Sequence, residues 1–125
     1  MKIRSSKALA LWLGLVIAPI AGAEPPAIVQ QEINYLIRHI ADSGCKFKRN
    51  GTWSNSKTAE AHVRRKYDFL VRRGLIDTTQ DFIDKAATES SLSGQPYEIK
   101  CGADSPVPSS LWLRDELARY RASKQ

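Results

Sequence analysis

Two cysteines, two histidines and one methionine are all that this 125-residue sequence carries of those residues, and each scarcity narrows the available chemistry. No Cys-x-x-Cys pair occurs, so a dithiol redox centre of that type and a thiolate metal site both lack their ligands. His39 and His62 fall in separate helical patterns, and no Asp or Glu completes a familiar ligand spacing, so neither a metal nor a cofactor is expected. Internal repeats and low-complexity stretches are absent. Long hydrophobic runs are missing as well: the longest covers residues 8–20, only 13 positions, which is marginal for crossing a hydrocarbon core.

That short run has a specific context. Lys2, Arg4 and Lys7 precede it, and Ala21-Gly22-Ala23 follows as a small-x-small cleavage site, which predicts an export signal peptide over residues 1–23. The acidic, proline-rich Glu24-Pro25-Pro26 is no stop-transfer flank, and no cysteine stands after the cleavage site to carry a lipid. The expected product is one small secreted domain, residues 24–125, in the periplasm and without a stable membrane anchor. Lys2, Arg4 and Lys7 leave with the leader, so 16 of the 19 cations stand against 13 acids, a net charge of +3 in place of +6. So mild an excess does not make a nucleic-acid binder.

Export takes Cys45 and Cys101 into an oxidising compartment, and two thiols allow a single connectivity. A bridge across these 56 positions stabilises a fold by about 4 kcal/mol on the chain-entropy model.

Along the mature chain, Val29, Ile33, Leu36, Ile37 and Ile40 recur at helical spacing over residues 27–42, and Gly44 ends the pattern. Asn50-Gly51, set between alternating residues 45–53, predicts a β-hairpin with a type I′ turn. Ser54 or Asn55 caps a second helix, 56–73, with Ala59, Val63, Tyr67 and Leu70 as its core stripe. Thr78-x-x-Asp81 reads as a capping box opening a short third helix through Phe82, Ile83, Ala86 and Ala87. A polar loop, 90–96, precedes Tyr97, Ile99 and Cys101, which alternate as one side of a strand. After a second loop, 102–108, Ser109 or Ser110 caps a last helix facing the core through Leu113, Leu117 and Tyr120. The fold class is therefore α+β, mainly helical, with about four helices and a small hairpin-and-strand element linked by one disulfide. Trp53 and Trp112 are expected in the core or at its edge.

Ser43-Gly44-Cys45-x-Phe47-x-Arg49-Asn50-Gly51 resembles the YfeK-like family of small exported bacterial proteins of unknown function. Ala61-His62-x-x-Arg65-Lys66-Tyr67, Asp81-Phe82-Ile83, Ser90-Ser91-x-Ser93-Gly94-x-Pro96-Tyr97 and Trp112-Leu113 extend the resemblance over nearly the whole mature chain. It implies export, a single domain and the Cys45–Cys101 pairing, and it carries no activity with it.

Nothing in the sequence specifies a reaction. Lys46, Lys48 and Arg49 flank the hairpin turn; the two lysines read as solvated charge, whereas Arg49-Asn50 belongs to the family-like pattern and suits an anion. His62 and Lys66 are four apart on one helical face, where a nearby ammonium keeps the imidazole neutral. These residues, with Ser91, Ser93 and Tyr97, make up a candidate ligand site for an anionic or carboxylate-bearing component of the cell envelope. The protein is accordingly expected to be a binding or interaction module, with such a ligand or another periplasmic protein as its partner. The alternative is a small hydrolase using His62 and a loop serine. The second and third helices also look like a helix-turn-helix with Arg64, Arg65, Arg72 and Arg73 for phosphates, a reading that export opposes.

Overall fold

The computed structural model describes Leu11, Leu13, Gly14 and residues 24–125; the expected signal peptide, residues 1–23, lies almost wholly outside the described residues. Pro25-Pro26 leads into α1, Ala27–Asp42, whose Ile33, Leu36, Ile37 and Ile40 are at most 1% exposed. The helix stops where Gly44 takes φ +67°. β1, Lys46–Arg49, then turns through Asn50 and Gly51, at φ 51° and 79°, into β2, Thr52–Ser54. Two successive positive φ values are what a type I′ turn requires, and Asn-Gly adopts them at least cost.

Asn55 caps α2, Ser56–Arg72, by accepting the Thr58 amide. The Thr78–Asp81 capping box opens α3, Thr79–Ala86, with both reciprocal bonds formed. β3, Glu98–Lys100, β4, Val107–Pro108, and α4, Ser109–Ser123, complete the chain. The four strands form one antiparallel sheet in the order β2-β1-β3-β4. Its inner face carries Phe47 and Ile99 against the helices.

Cys45 and Cys101 form the expected disulfide. Lys46 pairs with Lys100 and Phe47 with Ile99, so the cysteines are the next rung of the same antiparallel ladder. The bridge staples the ends of the two central strands.

Three expectations need correction. Residues 102–108 are not wholly loop, since Val107–Pro108 pairs with β3; Pro108 is tolerated because β4 is an edge strand that needs no further donor. Neither Ser109 nor Ser110 caps α4. Pro108 occupies that position, while buried Ser109 sends its amide to the Tyr97 carbonyl and its hydroxyl to the Ala87 carbonyl. Trp53 is 38% exposed, because strand parity places it opposite Lys48 on the outer face, while Trp112 is partly buried against the core.

Two buried acids hold the helices in register. Arg121 of α4 reaches Glu32 of α1 at 2.6 and 2.9 Å, and the buried Thr79 hydroxyl donates to the same carboxylate at 2.6 Å. Glu116 of α4 accepts from Tyr35 of α1 at 2.5 Å and from Arg119 at 3.0 Å, with His39 3.5 Å away. The Arg121 hydrogen bond holds the Glu32 carboxyl below its ordinary 4.5 against the opposing effect of burial. Its contribution is therefore present above about 4.5 and is lost as pH falls through the lower folded value. Arg121→Ala should cost about 1–3 kcal/mol at neutral pH, because it takes a partner from a buried carboxylate. Thermal unfolding should show that deficit shrinking as the solution is acidified below 4.5.

Candidate functional site

The alternation of β1 gives Arg49 the same parity as Phe47, on the helix side of the sheet, and gives Lys46 and Lys48 the other. Across from Arg49, the outward face of α2 carries His62 and Lys66 one turn apart. Tyr97 is brought there by its main chain: its amide donates to the Thr88 carbonyl at 2.8 Å, and its carbonyl accepts from Ser109 at 2.9 Å. The phenol, buried at its base, reaches both α2 side chains.

The resulting contacts form a chain. Lys66 Nζ donates to the Glu89 main-chain oxygen at 2.8 Å and to the Tyr97 hydroxyl at 3.3 Å, and the ammonium lies 5.1 Å from the ring centroid. Tyr97 Oη is 3.1 Å from His62 Nε2. Burial, then Arg49, then Lys66, push the imidazole down from 6.5 to about 4, so it is neutral at physiological pH. Burial also lowers Lys66 and raises Tyr97. An ammonium only donates, so Lys66 donates to Tyr97, whose oxygen can accept twice and donate once. Tyr97 Oη and His62 Nε2 therefore share one hydrogen bond, in which the imidazole tautomer sets the donor.

Beside this chain lies a cavity of about 40 Å³. Arg49, Thr58 and His62 form its accessible rim, and Ile40, Val63 and Leu113 belong to its buried floor. Among the described residues no carboxylate lines it. Lys48, also at the cavity, is engaged with Glu98 at 3.7 Å. Among the described residues Arg49 has neither an ion pair nor a side-chain hydrogen bond.

Of the seven residues singled out in the sequence, Arg49, His62 and Tyr97 share the cavity, and Lys66 joins them through Tyr97. Asn50 and Ser93 meet one another, the Ser93 hydroxyl donating to the Asn50 side-chain oxygen, which ties the 90–96 loop to the hairpin tip. Ser91 is exposed and makes none of these contacts. Ser90 is the buried serine, and its hydroxyl accepts the Leu92 and Ser93 amides to close the loop. His62 is thus bonded to a tyrosine and to no serine among the described residues. The Glu89 carbonyl was not foreseeable, because a main-chain acceptor leaves no residue signature. Thr58 had a usable signal, standing four residues before His62 on the same helical face.

Because His62 stays neutral in the fold while an unfolded histidine protonates near 6.5, the unfolded chain binds the proton first and stability falls as pH drops from 6.5 toward about 4. NMR titration of the His62 ring should give a midpoint near 4, and Arg49→Ala should raise it. A midpoint near 6.5 in the folded parent would refute this geometry.

Among proteins of known sequence, the uncharacterized protein YfeK of Salmonella typhimurium (strain LT2) is 35% identical over 86 residues, covering 68% of this chain and 70% of that protein. No solved structure matches the chain. The model of a family of unknown function, DUF5329, matches residues 27–121, from the start of α1 to the last turns of α4, and so takes in the disulfide, the sheet and every residue of the cavity. The chain belongs to that family.

Proposed function

We propose that this protein is an exported binding module that takes a small anionic ligand at the Arg49–His62–Tyr97 cavity. The observation that carries the reading is the guanidinium of Arg49, without an acidic partner among the described residues, at the mouth of a cavity that no carboxylate lines. Lys66 adds positive charge behind the site, and its donors to Glu89 and Tyr97 keep the phenol and imidazole in place. Fixed donors around a partly dry concavity recognise anions more strongly than the same groups in water. A depressed imidazole beside three cations is a further mark of a built site, since like charges crowd where a counter-ion is to be held.

The location is part of the proposal. The Lys2–Lys7 n-region, the apolar run and the Ala21-Gly22-Ala23 boundary support export, and the Cys45–Cys101 disulfide fits an oxidising compartment. No helix among the described residues is long and apolar enough to cross a membrane. Mass analysis of the protein from a periplasmic extract should find Glu24 as the first residue, and an intact Met1 in the cytoplasm would overturn the location.

Bound anions favour the protonated forms of neighbouring bases. Saturating acetate or inorganic phosphate should therefore raise the His62 midpoint above about 4 and move the amide resonances around Arg49, His62 and Tyr97. Arg49→Ala should weaken binding about tenfold or more, the equivalent of losing one charge-assisted hydrogen bond of about 1.5–3 kcal/mol. An unchanged His62 midpoint at saturating anion would contradict the proposal.

A further inference from the structure

Resting on the anion-site reading, the geometry points to a more specific ligand: we infer that the cavity takes a carboxylate whose adjacent carbon bears a short aliphatic group. The charged and apolar parts of the cavity are segregated by depth, the buried Ser109 hydroxyl in its wall being committed to the Ala87 carbonyl. Arg49 and Thr58 are exposed and His62 half-buried, whereas Ile40 and Leu113 are each 1% exposed and Ala87 only 2%. A ligand satisfying both parts has its charge at the surface and a hydrocarbon stub pointing inward.

The size of the space sets the length of that stub. About 40 Å³ is several times the roughly 10–15 Å³ one water needs, and far below the roughly 150 Å³ that admits benzene. Small aliphatic groups fit and aromatic rings do not. Inorganic phosphate can meet Arg49 but leaves the floor uncovered. The same chemistry arises in free short-chain acids and at the C-terminus of a peptide ending in a small residue, where the carboxylate and side chain share one carbon.

Binding to the mature, oxidised protein should be followed by NMR for acetate, propionate, butyrate and the N-acetyl derivatives of glycine, L-alanine, D-alanine, valine and phenylalanine, with N-acetylalaninamide as the uncharged control. Affinity should rise about fourfold for each carbon that enters the floor. It should fall for phenylalanine and vanish for the amide. Tighter binding of an acetylated alanine than of propionate identifies a chain terminus, and the reverse identifies a free acid; both support the inference. Ala59→Val, placed in the cavity wall, should abolish the gain of alanine over glycine while acetate still binds, with circular dichroism verifying the fold. If that variant does not fold, the ligand series on the parent decides. Equal affinity for all carboxylates, or a preference for phenylalanine, overturns the inference and leaves the anion site standing. No response at Arg49 and His62 to any anion overturns both.

Discussion

The antiparallel pairing of β1 with β3, closed by the Cys45–Cys101 bridge, is the constraint on which the rest depends. It joins the strand carrying Arg49 to the strand that follows Tyr97, although 48 positions separate the two residues in sequence. Phe47 and Ile99, paired on that ladder, then seat the sheet on the helical core. Without the pairing, Arg49 belongs to a hairpin whose two strands are only four and three residues long, and an isolated hairpin of that kind is marginal in water. With it, Arg49 shares a cavity with an imidazole that burial has already disarmed.

The site tolerates this concentration of positive charge because each basic group is handled differently. Lys66 is partly desolvated yet satisfied by a main-chain carbonyl and a phenol. His62 sheds its proton, since burial and three neighbouring cations, Arg49, Lys66 and Arg65, all oppose the charged form. Arg49 remains exposed at the mouth. That division leaves Arg49 at the mouth, neutral His62 and Tyr97 behind it, and the Lys66 ammonium behind them. The helical frame is tied off elsewhere, by Glu32 with Arg121 and Glu116 with Tyr35, and among the described residues no carboxylate lines the cavity.

Much of the frame was legible in the residues. The first helix occupies residues 27–42 as its apolar spacing predicts, and the Asn50-Gly51 turn, the Asn55 cap and the Thr78–Asp81 box fall where their chemistry places them. These are local signals with local causes. The two-residue strand Val107–Pro108 was not legible, because so short a segment has no periodicity and is defined by its partner alone. Glu32 and Glu116 offered a signal that went unused: each lies three or four residues from apolar positions on its own helix, Val29 and Leu36 in one case and Leu113 and Tyr120 in the other. An acid on a core stripe demands a partner. For the site, the pairing of His62 with Lys66 followed from helical spacing. Their meeting with Tyr97 depended on how the 90–96 loop closes around Ser90, which only the fold decides.

In this structure the stapled β1–β3 ladder, and not α2 alone, sets the state of His62 by bringing Arg49 and the sheet to the imidazole. The most direct test is the NMR titration of the His62 ring in the Cys45→Ser, Cys101→Ser double variant, at a temperature where its circular dichroism remains that of the folded parent. Loosening the ladder should move the midpoint from about 4 toward 6.5, as Arg49 and the sheet withdraw from the imidazole. A midpoint still near 4 in the folded variant would contradict the account.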